Sequence, residues 1–206
     1  MMELQLNSPW TFYYFQRPTA EQGVIPYEQC LHKIGKFETA EQFWQIYSHM
    51  QRPHNLPNTI TLNLFRNDTR PMWEDEANRK GGSFLVRLQK NQVKSSWERL
   101  VLNLIGEQFP EDVVGIAVST RARADLIYFW HQHAADANIR LDIAQFIAKL
   151  LELPIKFKID YNPFDPDSVG LDPKMYIQYI VDANGPIEKF SPKFAKPEHG
   201  APATNQ

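Results

Sequence analysis

The sequence predicts an α+β layer fold, a mainly antiparallel β-sheet with helices on one face. Segments with strand character come in adjacent groups, with few short strand–helix–strand units between them. That grouping belongs to antiparallel rather than parallel sheets. Three longer segments carry the helical apolar period of about 3.6 residues, so each buries one face. The 206 residues, 43% of them apolar, suffice for one domain with a sizeable core.

The elements follow in order. Pro9-Trp10-Thr11-Phe12-Tyr13-Tyr14-Phe15 is short and aromatic and reads as a strand. Gln16 to Pro26, with Pro18 and Gly23, is a loop, and Tyr27 follows it directly. Cys30 to Lys36 reads as a short strand. Thr39 is an N-cap with Gln42 placed to close a capping box, and the helix runs from Ala40 to Met50, ended by Pro53 and Pro57. Its apolar face gathers Phe43, Trp44, Ile46 and Tyr47. Thr59 to Phe65 and Ser83 to Leu88 alternate in strand fashion. A second helix is expected from about Trp97 to Gln108, with Leu100, Val101, Leu104 and Ile105 inward. Val113 to Val118 and Leu126 to Trp130 are strands joined by the turn Ser119 to Asp125. A third helix spans Ile139 to Leu151, stopped by Pro154. Ile155 to Ile159 is a strand, Asn162 to Pro173 a long loop, and Met175 to Val181 the last strand. The domain is expected to end at residue 181. Residues 182–206 then form a tail, Pro-rich and polar from Lys189 onward.

Composition excludes several classes. A net charge of −2 is unsuited to binding nucleic acid in bulk through a basic face, though not to recognising a terminus. The single cysteine, Cys30, allows no internal disulfide and suits a reducing compartment. No apolar run approaches ~20 residues and no secretory signal is visible, so a cytoplasmic or nuclear protein without membrane attachment is expected. The chain carries no Gly-rich phosphate loop and no Ser or Cys nucleophile motif, so no enzyme and no cofactor is expected. His131-Gln132-His133 with Asp136 has the look of a metal site, but a third ligand at fixed spacing is missing, and no metal is expected.

The polar segment from Arg66 to Gly82 has neither helical nor strand period, yet it contains Pro71-Met72-Trp73-Glu74-Asp75-Glu76. A tryptophan in a surface loop beside carboxylates can stack on a flat ligand while a carboxylate accepts its hydrogen bonds. Tyr27 is a second loop aromatic. Arg121 and Arg123 stand two apart in a turn, with Trp130 at the end of the next strand. Taken singly these are a lid tryptophan, a packed tyrosine, a solvated acidic run and ordinary turn charges. Together they describe a site for a phosphorylated purine. Two aromatics stack on the ring, a carboxylate reads its N–H edge, and arginine forks hold the phosphates. A positively charged purine suits this set best, because it adds a cation–π contribution.

Trp10 to Phe15, Phe43-Trp44-Gln45-Ile46-Tyr47, Pro71 to Glu76 with Gly81-Gly82, Leu104-Ile105-Gly106-Glu107, and Arg121-Ala122-Arg123 with Trp130 resemble, in order and spacing, the eukaryotic translation initiation factor 4E family. These are mRNA cap-binding proteins, and the likeness runs from about residue 7 to residue 161. It implies a curved antiparallel sheet backed by three helices on its convex face. It implies that Tyr27 and Trp73 sandwich the 7-methylguanine of the 5′ cap. Glu74 would then bind the N1 and N2 hydrogens, the Trp73 backbone N–H the O6, and Trp130 the N7-methyl group. Arg121 and Arg123 would hold the phosphates, leaving following nucleotides to the region of Tyr161, Phe164, Lys156 and Lys158. On the helical face an initiation scaffold or a 4E-binding protein would dock near Trp44, Leu102, Ala40 and Glu98.

Several positions depart from the family pattern. Tyr27 stands where Trp is common, and Arg123 where Lys often occurs. Leu126 replaces a further Lys, and Ala40 a larger aliphatic residue. Glu98-Arg99 replaces an apolar residue followed by an acid. The function implied is to bind the mRNA cap and link it to an initiation scaffold. Two alternatives stay open: a cap-binding repressor that does not recruit the usual scaffold, and an interaction scaffold without cap binding.

Overall fold

The computed structural model describes residues 3–192. Among the described residues nine strands form one fully antiparallel sheet: β1 (Gln5–Gln16), β2 (Leu31–Thr39), β3 (Ile60–Arg66), β4 (Gly82–Leu88), β5 (Val113–Ser119), β6 (Asp125–His131), β7 (Lys158–Pro163), β8 (Met175–Asp182) and β9 (Gly185–Pro192). Their order is β2-β1-β3-β5-β6-β4-β7-β8-β9 in an open, curved sheet. Three long helices, α2 (Ala40–Tyr47), α3 (Lys90–Ile105) and α4 (Ala137–Leu150), back one face. A single turn, α1 (Tyr27–Cys30), lies ahead of β2.

The alternation of strand side chains decides what faces what. Trp10 and Phe12 of β1, Leu62 and Leu64 of β3, Ile116 and Val118 of β5, Ile127 and Phe129 of β6, and Phe84 and Val86 of β4 all point into the core under the helices. Their neighbours Tyr13, Asn63, Phe65, Ala117, Tyr128, Trp130 and Leu85 therefore line the opposite, open face. Near α2 the core is an aromatic stack: Phe43 lies 6.3 Å from Phe12 and 5.0 Å from Tyr47, both rings close to parallel. Removing the Phe43 ring would cost about 3–5 kcal/mol.

Local chemistry accounts for the helix starts. The Thr39 hydroxyl accepts from Gln42 N–H at 3.2 Å, and the Gln42 side chain accepts in return from Glu38 N–H, one residue earlier than a capping box would have it. The second helix begins seven residues before the expected Trp97. Gln89 caps it with Gln92, and Val93 and Ser96 prolong the buried stripe of Trp97, Leu100, Val101 and Leu104. The polar run Lys90 to Ser96 hides this start in the sequence.

The C-terminal part corrects the expected layout most. The strand expected at Ile155 to Ile159 lies at Lys158–Pro163, because Lys156 takes a positive φ of 70° and turns the chain first. The expected 162–173 loop loses its first two residues to that strand and contains a short 3-10 turn, Pro166–Val169. The domain does not end at residue 181. β9 pairs with β8 from Gly185 to Pro192, so the segment expected to begin the tail is an edge strand. Its Glu188 accepts from Arg140 of α4 at 3.0 Å, which ties the edge to the helical layer. The remainder of the expected tail, residues 193–206, lies outside the described residues. Among the described residues no helix is long and apolar enough to cross a membrane.

Candidate functional site

Tyr27 opens α1 rather than ending a loop. Its ring stacks on Phe15 of β1, centroids 4.6 Å apart and 15° from parallel, on the open face of the sheet. Its hydroxyl donates to the Pro71 carbonyl at 3.0 Å, which binds it to the loop that carries Trp73. Burial, aided by the nearby Glu74 carboxylate, pushes the hydroxyl up to about pKa 12, so it remains a donor at neutral pH. Glu74 therefore shares the immediate surroundings of Tyr27. Trp73 itself is 56% exposed, an indole presented to solvent rather than folded onto the core.

The loop holding Trp73 is organised by groups on either side of it. Arg70 donates to both carboxylate oxygens of Asp75, at 3.1 and 2.8 Å, and with its third nitrogen to Glu28 of α1. These hydrogen bonds hold the Arg70 guanidinium above its usual pKa, the Asp75 pair first and Glu28 next. Asn78 is fully buried and donates to the carbonyls of Arg70 and Met72, both at 2.8 Å. At the loop's end Gly81 leaves no room for a side chain, since a Cβ there would stand 1.9 Å from the His131 carbonyl. Arg70 and Tyr27 thus cross-link α1 to the Trp73 loop. Asp75 therefore serves the loop's own structure.

On the sheet, Trp130 points to the open face, edge-on to Phe65 at 5.3 Å and against Phe164 at 4.6 Å. Phe65 can lie there only because Gly115 beneath it lacks a Cβ, which would approach the ring to 2.6 Å. Arg121 and Arg123 lie at the far end of β6 in the turn 121–124, Arg121 half-buried and Arg123 exposed. The buried Asp125 carboxylate sets this turn by accepting from Arg121 N–H at 2.9 Å and from the Lys90 ammonium at 2.7 Å. Sequence reasoning did not find Phe15, Arg70, Glu28, Asn78 or Asp125. Only the spacing of Arg70 and Asp75 within one polar loop offered a signal.

Tyr161, expected near a following nucleotide, turns its ring away from the open face. It sits in the core under the helices, its hydroxyl 2.9 Å from His131 Nε2. The His131/His133/Asp136 metal reading also fails on geometry. His131 is buried with both ring nitrogens occupied, by Asp112 at 2.9 Å and by Tyr161, while Asp136 caps α4 through Asn138 and Ile139 N–H. Among the described residues no group of three metal-binding side chains converges.

An aromatic pair, a carboxylate and two arginines, disposed along the open face of an antiparallel sheet, can bind a flat cationic base with phosphates attached. A family model for eukaryotic initiation factor 4E matches residues 5–174. The chain belongs to the eukaryotic initiation factor 4E family. It is 38% identical over 154 residues to the translation initiation factor NCBP of Oryza sativa, covering 74% of this chain and 68% of that one. Its identity to translation initiation factor 4E-4 of Caenorhabditis elegans is 33% over 163 residues, covering 78% and 77%. Among solved 4E structures, C. elegans eIF4E-3 in complex with the 4E-binding protein Mextli and a cap analog superposes with a TM-score of 0.73 at 27% identity, covering 82% of this chain and 98% of that one. Ascaris suum eIF4E-3 with the m2,2,7G cap gives 0.70 at 30% identity, covering 78% and 91%.

On the helical face of this 4E-family fold, Trp44 is 47% exposed, with its edge against Phe43 and Tyr47. It is not a core residue. Leu102 of α3 also reaches solvent. One helical turn earlier Glu98 pairs with Arg52 at 3.6 Å, and Arg52 lies 3.9 Å over the Tyr47 ring of α2. Arg99 pairs with Glu152 at 3.0 Å. Ala40, half-buried at the start of α2, donates its N–H to the Leu4 carbonyl at 2.9 Å.

Proposed function

We propose that this protein binds the 7-methylguanosine 5′ end of mRNA on its open face and couples it to a translation initiation partner on its helical face. The observation that carries the reading is the cross-tie between Tyr27 and the Trp73 loop. Tyr27 OH to Pro71 O, and Arg70 to both Glu28 and Asp75, hold two aromatic segments together around the Glu74 carboxylate. In this reading the ring enters between Tyr27 and Trp73. Glu74 accepts from the N1 and N2 hydrogens, Trp130 meets the N7-methyl group, and Arg121 and Arg123 take the phosphates. Methylation at N7 makes the ring cationic, so both aromatic faces and the carboxylate favour it over unmethylated guanine.

The test is quenching of tryptophan fluorescence by m7GTP, with GTP as control. Trp73→Ala should weaken binding by about 1–3 kcal/mol, and Glu74→Ala by a similar amount, since it leaves two donors unpaired. Both variants should keep the wild-type melting temperature to within a few degrees, because both residues are exposed. Wild-type affinity in either variant would refute the assignment.

A second reading, a cap-binding repressor that does not recruit the usual scaffold, draws on Glu98 and Arg99 of the helix that carries Leu102, paired with Arg52 and Glu152. Capture of partners on an m7GTP resin, with and without Trp44→Ala, separates the two roles by what is retained.

A further inference from the structure

The phosphate track leaves one position apolar. Leu126, the second residue of β6, stands where a cation would complete the series after Arg121 and Arg123. Directly across the β4–β6 ladder from Leu126 stands Arg87. Register partners of an antiparallel pair share a face, and Leu126 shares the open face with Tyr128 and Trp130. Arg87 therefore presents its guanidinium to that face, one strand away from the turn that holds the two arginines. Its side chain is 62% exposed, and Asp160 reaches it only at 3.4 Å. An exposed pair of that length constrains the side chain little. Gln178 holds the other oxygen of the same carboxylate, Oδ1, at 2.6 Å.

Beside Arg87 the same face opens into a cavity of about 550 Å³ over β4, β6, β7 and β8. Leu85 and Tyr128 floor it, Tyr176 stands half-buried on its far wall, and Asp160 and Gln178 supply polar groups. Tyr128 is two residues along β6 from Trp130, so the cavity begins where the first base site ends. Its size falls in the range of small-molecule sites, about 300–1,000 Å³. Two tyrosine rings provide stacking that any base can use.

We propose that Arg87 supplies the phosphate contact that position 126 lacks, and that it directs the nucleoside beyond the triphosphate into this cavity. The inference rests on the cap-binding reading, so its test separates the two. Fluorescence titrations would use 7-methylguanosine, m7GTP and the dinucleotide m7GpppA on the wild-type chain, Arg87→Ala, Arg87→Ala with Leu126→Lys, Tyr128→Ala and Tyr128→Leu. Arg87→Ala should bind 7-methylguanosine as the wild type does. It should bind m7GTP roughly five- to tenfold more weakly, with a shallower salt dependence because one phosphate contact is gone. Leu126→Lys in that background should restore most of the loss. Tyr128→Ala and Tyr128→Leu should bind m7GTP normally and m7GpppA at least about fivefold more weakly than wild type, since each loses one stacking ring. Wild-type affinity of Arg87→Ala for m7GTP, or an unchanged ratio of the two ligands in both Tyr128 variants, overturns the proposal. If the wild-type chain binds none of the three ligands, the cap-binding reading has failed and the proposal fails with it.

Discussion

Replacing Arg70 by alanine should damage ligand binding more than it damages the fold. Arg70 makes three charge-assisted hydrogen bonds, two to Asp75 and one to Glu28. The groups are partly exposed: 43% for Arg70, 23% for Asp75 and 64% for Glu28. Solvent screening therefore limits the Glu28 contact to a few tenths of a kcal/mol, while the bidentate Asp75 contact contributes about 1 kcal/mol or somewhat more. These contacts join a loop to one turn of helix and touch none of the buried core. Global unfolding should therefore change by no more than ~1 kcal/mol, a shift of about 2–4 °C for a chain of this size. Binding responds differently. The site needs α1 and the Trp73 loop in register, and apparent affinity scales with the fraction of molecules so arranged. Losing about 1.5 kcal/mol from that arrangement corresponds to roughly a tenfold loss of m7GTP affinity.

Quenching titrations beside thermal melts would measure both effects on one sample. Arg70→Lys should recover only part of the loss, because an ammonium cannot span both Asp75 oxygens as a planar fork does. Asp75→Ala should match Arg70→Ala, and the double variant should be no worse than either single one. An Arg70→Ala chain that binds m7GTP within twofold of wild type would refute the reasoning. So would one whose affinity falls only in step with global unfolding.

Tyr27→Phe keeps the ring on Phe15 but removes the bond to Pro71 O; we expect about a threefold loss of m7GTP affinity, measured by quenching, against tenfold or more for Tyr27→Ala. Trp44→Ala should abolish retention of scaffold-type partners on the helical face in a pull-down while leaving m7GTP affinity unchanged, because the two faces are separated by the core. Asp125→Ala should cost about 2–3 kcal/mol in a denaturant melt, and it should weaken m7GTP binding as well, since the carboxylate holds Arg121 N–H. Burial holds His131 below its ordinary pKa against the opposing pull of Asp112. Stability should therefore be full above about pH 6.5, the unfolded value, and fall as pH drops below it, with His131 facing Asp112, Tyr161, Arg140 and His133. Urea midpoints at neutral and mildly acidic pH should differ in the wild type and converge in His131→Gln; equal wild-type midpoints would exclude the effect.

What the sequence revealed depended on the range of the interactions concerned. Strands β3 to β6 were legible because their alternation is local and their turns carry clear signals. The pairing of Trp73 with Tyr27 was legible only as a combination of residue types. The bonds that hold the two together lie between Arg70 and Glu28, 42 positions apart, and no local pattern records them. The start of α3 was hidden because its first turn is polar and its capping residue is Gln89, a weak N-cap signal beside Ser95-Ser96. β9 was hidden for a different reason. Pro186, Glu188, Lys189 and Pro192 argue against a strand, and only pairing with β8 and the contact of Glu188 with Arg140 make it one. Tyr161 was misplaced because its face depends on a strand register that shifts after Lys156.

The positions where this chain leaves its family's pattern are the most informative about it, because three of the departures have a neighbour that answers them. Tyr27 has a smaller ring than tryptophan, yet its hydroxyl donates to the Pro71 carbonyl at 3.0 Å and ties it to the Trp73 loop. Leu126 removes a cation, and Arg87 restores one directly across the ladder. Glu98 and Arg99 place charges where an apolar residue and an acid are usual, and Arg52 and Glu152 pair with them at 3.6 and 3.0 Å. A site drifting free of its ligand would accumulate unanswered changes, leaving unpaired charges and a collapsed or filled aromatic slot. The open face instead keeps its exposed indole, its carboxylate and its turn of arginines, with the loop tied by Arg70 and Asn78 and the turn by Asp125. That argues against an interaction scaffold without cap binding. On the helical face the changed charges sit in surface ion pairs, Glu98 with Arg52 and Arg99 with Glu152, and Trp44 stays exposed.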